Sequence, residues 1–206
     1  MTTPCYLYFD IGNVLLHVSH EQANQAMADV AGMAPETMRQ LVFSDSGLEW
    51  KFERGDLDEP AFLAALNQAA GCELDPAAIR KANNEIFRLN TDILPLVTSL
   101  RCSNHRLGVF SNTSSWHWAY MRHRFSFFSF FAGAALSFEI GAMKPEPAAY
   151  AAAASLAGCA PEEIFFVDDR PENVAAAIVA GFQAVQYTTA VALRDDLRSR
   201  GVHFNL

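Results

Sequence analysis

The sequence predicts an α/β protein: a parallel sheet with helices on both faces, carrying an all-helical insertion after its first strand. Three observations carry that expectation. Near-continuous apolar runs recur and stop at polar residues, helical segments separate them, and the long stretch after the first run shows helical periodicity with no convincing buried strand. A strand buried on both faces reads as an unbroken apolar run, because neither side meets water. Alternation of such strands with helices is the pattern of a doubly wound fold, whose ligands bind beyond the carboxyl ends of the strands.

The first strand is Cys5-Tyr6-Leu7-Tyr8-Phe9, ending at Asp10. From Leu16 to about Asn90 helices are expected, one through Met27, Val30 and Met33, another through Phe62, Leu63 and Leu66 after the Asp58-Glu59-Pro60 start signal. Three further strands follow: Arg106 to Ser111, Glu163 to Asp168, and Gly181 to Tyr187. Between the last three lie helical segments at Glu146 to Ala157 and Glu172 to Ala180, while the aromatic stretch Phe125 to Phe131 reads as packing rather than a binding box. The expected organisation is therefore a core of residues 1–15 and 91–206 with residues 16–90 as an insertion. An insertion leaving the sheet at Asp10 can sit over the strand ends as a lid.

A chain of 206 residues can bury a substantial core without disulfides. Cys5, Cys72, Cys102 and Cys159 stand far apart in sequence, so they form no CxxC pair for zinc and read as reduced, mostly buried thiols. The formal charge of -8, from 15 basic and 23 acidic residues without a basic block, argues against a nucleic-acid partner. No apolar run approaches the roughly 20 residues that span a bilayer, and the start from Met1 to Cys5 lacks the regions of a signal peptide. No membrane partner and a cytoplasmic location are expected; the oligomeric state is not legible.

Four segments carry chemistry. In Phe9-Asp10-Ile11-Gly12-Asn13-Val14-Leu15 a carboxylate ends a strand, and Gly12 lets the next loop approach a ligand. Such a carboxylate can attack phosphorus, or simply cap the turn that follows. In Val109-Phe110-Ser111-Asn112-Thr113 a strand runs into polar residues able to hold phosphate oxygens or to cap a helix. Gly141-Ala142-Met143-Lys144-Pro145-Glu146-Pro147 places a lysine ahead of a proline-started helix, where a solvated surface charge is the ordinary reading. Val167-Asp168-Asp169 puts adjacent carboxylates at the end of an apolar strand, and like charges so close call for a cation. An oxygen-only ligand set suits magnesium.

In order and chemistry these four segments resemble the haloacid dehalogenase superfamily, along most of the chain. Phe9 to Leu15, the insertion's Phe52-Glu53-Arg54-Gly55-Asp56-Leu57, and Ser137-Phe138-Glu139-Ile140-Gly141 with Lys144-Pro145 look like the branch that includes bacterial glucose-1-phosphate phosphatases. The resemblance implies a Rossmann-like core, a helical cap over residues 16–90, and hydrolysis of a small phosphate ester, such as a sugar phosphate, with Mg2+ as cofactor. Asp10 would then be the nucleophile, Ser111 a phosphate ligand, Asn112 a backbone donor, and Lys144 the neutralising charge. Asp10, Asp168 and the Gly12 carbonyl would bind the metal, with Asp169 behind them.

Gly12 departs from the wider superfamily, most of whose phosphatases carry an aspartate there as general acid. The sequence identifies no replacement acid; His17, close to the junction with the insertion, is a candidate, and an ordinary structural or exposed histidine is the other reading. Trp50, Glu53 and Arg54 are candidates to face the cleft, with Arg54 toward a sugar hydroxyl. Two other readings remain open: a dehalogenase, in which aspartate attacks carbon without metal, and a ligand-binding scaffold that lost its acid at position 12.

Overall fold

The computed structural model describes residues 2–206; Met1, part of the start read for a leader, lies outside them. Five parallel strands form the main sheet: β1 (Tyr6–Phe9), β4 (Arg106–Ser111), β5 (Gly133–Leu136), β6 (Ile164–Asp168) and β7 (Gln183–Gln186), in the spatial order β5-β4-β1-β6-β7. Counted within the sheet alone this is the order 3-2-1-4-5 of a Rossmann-like fold, with its switch point between β1 and β6. Phe9 stands level with Val109 on one side and Val167 on the other, so the residues just beyond these three strands share one rim. The Asp10 amide donates to the Val167 carbonyl at 2.9 Å and holds that register where the nucleophile candidate begins.

The apolar runs do bury both faces. Leu7, Phe9, Val109, Phe165 and Val167 pack on one side with α6 (Leu94–Cys102) and α11 (Ala190–Ser199), and Tyr8, Phe110 and Phe166 on the other with α9 (Pro147–Ala157) and α10 (Pro171–Val179). The strand β5 is missing from the sequence reading. Its Gly133-Ala134-Ala135-Leu136 has no β-branched or aromatic residue, so the local signal for a strand is weak, and pairing with β4 decides its conformation. The phenylalanine-rich stretch forms a short 3-10 turn (Ser126–Phe130) whose rings pack on one another and on Phe9 through Phe131, at 6.0 Å between centroids.

Between β1 and α6 the chain forms five helices, α1 (His20–Ala31), α2 (Pro35–Val42), α3 (Leu48–Arg54), α4 (Glu59–Ala70) and α5 (Pro76–Asn84). Asp58 caps α4 by accepting from the Ala61 amide, which is the start signal legible in the sequence. The stretch is not wholly helical: β2 (Leu16–Val18) and β3 (Phe87–Leu89) pair antiparallel where the chain leaves and re-enters the core. Three residues each are too few to show a period of two against a helical background.

The helices are fastened to the core above the strand ends. Trp116, on α7 (Ser115–Arg124) of the core, packs edge-on between Phe52 and Phe62 at 5.1 and 5.2 Å. The Ser137 hydroxyl, at the start of the short helix α8 (Ser137–Ile140), donates to the Glu53 carbonyl at 2.5 Å. Gly55 ends α3 with φ +84°, and a Cβ there would fall 2.5 Å from the Phe138 carbonyl oxygen. Backbone therefore meets backbone at this seam, and only glycine permits both the approach and the left-handed turn. Arg54 spans the same seam to Glu146.

Candidate active site

Beyond the ends of β1, β4 and β6 lies a cleft of about 330 Å³, lined from below by Asp10, Gly12, Asn13, Ser111, Asn112, Lys144 and Asp169, and from above by Trp50 and Glu53. The sequence reading treats Lys144 in isolation as an ordinary surface charge; the fold buries it. Its side chain is 1 % exposed, with Nζ 3.0 Å from Asp10 Oδ1 and 2.5 Å from Asp168 Oδ2, and it donates to the Phe110 carbonyl at 3.0 Å. Asn112 sets this placement: its amide accepts from the Lys144 N–H at 2.8 Å and donates to the Lys144 carbonyl at 2.9 Å. The Asn112 side chain is thus a clamp on the lysine backbone, a part that sequence reasoning did not assign to it.

Burial disfavours the charge on Lys144, but Asp10 and Asp168 outweigh it and hold the ammonium above the usual lysine range. Asp10 shows the opposite balance. Burial, helped by the Asp168 charge, pushes its carboxyl up to about 6 against the pull of Lys144 and Ser111. It therefore remains mostly ionised at neutral pH.

The two adjacent aspartates differ sharply. Asp168 is fully buried, and its oxygens already accept from Lys144, from the Asn173 amide at 3.0 and 3.1 Å, and from the Arg170 N–H at 2.9 Å. Asp169 is half-buried and faces the cleft, where Asn13 donates to its Oδ2 at 3.0 Å. Asp168, expected to bind the metal, accepts from three neighbours, while Asp169, expected behind it, has an open side toward the cleft. Asn13 and Asn173 were not singled out beforehand, because a lone asparagine beside a motif carries no chemical signature. Asn13 adopts φ +53°, a conformation asparagine tolerates better than most residues.

Carboxylate oxygens of Asp10, Asp168 and Asp169 lie within 4.8 Å of one another, and among the described residues no hydrogen bond uses the Gly12 carbonyl. Three carboxylates here face one lysine, since Arg170 is turned to Glu172. An all-oxygen set with surplus negative charge fits a divalent hard cation.

The upper wall holds a second acidic group. Glu49, Glu53 and His117 bring ligand atoms within 4.8 Å of one another. Burial and then the neighbouring Glu53 push Glu49 up to about 8, and burial and then Asp10 push Glu53 up to about 7, opposed by Lys144. Burial drives His117 down to about 4, and its Nε2 donates to the Asn83 carbonyl at 3.2 Å, while Nδ1 faces Glu49 Oε1 at 3.6 Å. His17 does not enter this wall: it is exposed on β2, level with Arg88. Arg54 pairs with Glu146 and Asp56 outside the cleft lining, whereas Trp50 lines the cleft and is 37 % exposed.

The sequence matches the family described as haloacid dehalogenase-like hydrolase over residues 7–181. The chain belongs to that family. It is an enzyme of the hydrolase class with phosphatase-named relatives. It is 25% identical over 198 residues to the D-ribitol-5-phosphate phosphatase of Bacteroides thetaiotaomicron, covering 93% of this chain and 95% of that one. It is 24% identical to flavin mononucleotide hydrolase 1 of Arabidopsis thaliana, covering 86% of this chain and 72% of the other. Among solved structures, a family enzyme of Bacteroides thetaiotaomicron in complex with magnesium and inorganic phosphate superposes with TM-score 0.79 at 24% identity, covering 90% of this chain and 95% of that one. No described helix of this hydrolase is long and apolar enough to cross a membrane.

The upper wall gives a pH dependence of stability. Glu49 and Glu53 keep their protons in the fold above pH 4.5, where the unfolded chain has released them, so their contribution is lost as pH rises through about 7 to 8. His117 works the other way, since it stays neutral in the fold while the unfolded imidazole charges below 6.5. Between pH 8 and 6.5 only the carboxyls act strongly. In metal-free urea unfolding the protein is expected to gain about 1–2 kcal/mol per carboxyl on that descent. Glu49→Gln should flatten the gain; an unchanged slope in the variant contradicts the assignment.

Proposed function

We propose that this hydrolase is a magnesium-dependent phosphatase of small phosphate monoesters, with Asp10 as the attacking nucleophile. The observation that carries the reading is the position of Lys144 Nζ between Asp10 and Asp168 at the floor of an acidic cleft. Lys144 holds one Asp10 oxygen, which fixes the carboxylate and leaves its other oxygen to attack phosphorus. Ser111 and the Asn112 N–H receive phosphate oxygens at the end of β4. Asp10, Asp169 and the Gly12 carbonyl would hold magnesium, with Asp168 behind them orienting Lys144. When bound, the ion neutralises charge on the transferring phosphoryl group. A dehalogenase has no use for this surplus of carboxylates, and a scaffold has no use for a buried lysine braced against a nucleophile.

The segment 16–90 acts in this reading as a cap that shapes the substrate site. A volume of about 330 Å³ lies at the small end of the roughly 300–1,000 Å³ of ligand pockets, which favours a sugar or polyol phosphate over a flavin nucleotide. Trp50 offers an aromatic face for the carbon side of such a molecule. This agrees with the resemblance to sugar-phosphate phosphatases read from Phe52 to Leu57.

Gly12 leaves a proton donor to be found. A Cβ there would meet only Val18 Cγ2 at 3.8 Å, so no crowding forbids an aspartate. Glu53 hangs over the same floor, held toward protonation by burial and by Asp10. We propose that Glu53 gives its proton to the leaving oxygen, and that Glu49 and His117 form the buried ground behind it.

Phosphate release from a panel of sugar and polyol phosphates, with chelator and then with added magnesium, tests the function. Activity should vanish with chelator and return with the metal. Asp10→Asn should cost at least about 10³-fold in kcat, and Asp169→Ala should raise the half-saturating magnesium about 10–100-fold. Magnesium-independent halide release would make the protein a dehalogenase, and ligand binding without turnover a scaffold.

The role of Glu53 is read in kcat/KM for esters graded by leaving-group pKa. Glu53→Gln should slow alkyl esters about 10²–10⁴-fold and aryl esters far less, because an aryl oxygen departs without a proton. A uniform loss across the series makes Glu53 a structural residue only.

A further inference from the structure

At the opposite end of the sheet from the cleft, two thiols far apart in sequence meet. Cys5, immediately before β1, points its sulfur at Cys159, in the turn after α9, with 2.6 Å between the sulfurs. The cysteines are not the mostly buried thiols expected from the sequence: Cys5, Cys72 and Cys102 are exposed and Cys159 is half-buried. Backbone contacts fix the pair. The Cys5 amide donates to the Glu163 carbonyl at 2.8 Å, and Cys159 follows Gly158, which closes α9 through the Ala154 and Ser155 carbonyls.

A cation stands beside one of the two sulfurs. Arg106 lies with its guanidinium 4.7 Å from the centre of the Tyr6 ring, donates to the Ala157 carbonyl at 2.8 Å, and directs Nη1 at the Cys159 sulfur at 3.5 Å. Thiols that react with oxidants sit in such electropositive, partly open places. Partial desolvation by its neighbours, together with the hydrogen bond to Cys159, pushes the otherwise exposed Cys5 thiol up to about 11, so Cys5 keeps its proton and donates it. The pair sets one sulfur beside a cation and in contact with a second thiol that donates to it.

We infer that Cys5 and Cys159 form an oxidation site, a dithiol that peroxide converts to an intramolecular disulfide joining the start of β1 to the α9–β6 turn. The Cys159 sulfur attacks one peroxide oxygen, the O–O bond breaks, and the departing hydroxide leaves as water with the Cys159 proton; sulfur is oxidised by two electrons to the sulfenic acid and the peroxide is reduced. The Cys5 sulfur then attacks that sulfenic sulfur. The S–S bond forms, the S–O bond breaks, and the departing hydroxyl takes the Cys5 proton as water. Cys72 and Cys102 have no such partner among the described residues and remain thiols. Nothing in this step draws on the hydrolytic site or on metal.

The test uses the full chain and hydrogen peroxide in modest excess, followed by thiol counting in denaturant and peptide mass spectrometry without reductant. The count should fall from four to two, with one linked peptide pair containing Cys5 and Cys159 and lighter by two hydrogens. The thermal midpoint should rise on the order of 10 °C, since the bond closes a loop of most of the chain, and dithiothreitol should reverse both changes. In Cys5→Ser, dimedone should label Cys159 in preference to Cys72 and Cys102. Four thiols surviving peroxide, a link to Cys72 or Cys102, a link between two chains, or dimedone spread evenly over the three cysteines would each overturn the assignment.

Discussion

The candidate site depends on one buried contact, the Lys144 ammonium between Asp10 and Asp168. Each of these groups would be costly to bury alone, and removing one partner from such a set commonly costs about 3–5 kcal/mol because the others are left uncompensated. The carboxylates come from neighbouring strands β1 and β6, and Lys144 arrives from the loop before α9, held there by Asn112 from the end of β4. Four segments separated by most of the chain are thereby fixed to within hydrogen-bond distances. The contact also leaves the floor negative, since three carboxylates face one lysine there.

The helices of residues 16–90 are joined to the sheet layer at a seam with little slack. Gly55 lies against the Phe138 carbonyl and Ser137 holds the Glu53 carbonyl, while Trp116 of the core fills the space between Phe52 and Phe62. Burial at this seam has an electrostatic consequence. It raises Glu49 and Glu53 and lowers His117, so the upper wall is mostly uncharged at neutral pH while the floor is charged. In the proposed reading, an acid held toward protonation stands above an ionised nucleophile, the division of labour that ester hydrolysis needs.

Much of this was legible in the sequence for a physical reason. Strands such as Ile164 to Asp168 are buried on both faces, so their composition announces them, and a carboxylate at the end of such a run stands out. β5 was silent because its alanines and glycine carry no strand preference, and β2 and β3 because they are too short to show a period. At the site, the parts with charge were visible and their partners were not. The partners of Asp168 depend on where Asn173 and Lys144 aim their donors, and the clamp by Asn112 on how two loops approach. His17 looked suitable by distance along the chain, yet the β2–β3 pair turns it to solvent; Glu53, which the fold does bring over Asp10, lies more than forty residues away in sequence.

The central claim is that phosphorus passes through Asp10 rather than directly to water. Two in-line displacements retain configuration at phosphorus and one inverts it. An ester of a sugar alcohol bearing a chiral thiophosphoryl group, labelled with one heavy oxygen isotope and hydrolysed in water carrying another, yields inorganic thiophosphate whose handedness can be read. Retention is the expected result, with Asp10 as the first acceptor and water as the second. Inversion would mean that water attacks the ester itself, and would reduce Asp10 and its bond to Lys144 to an electrostatic support.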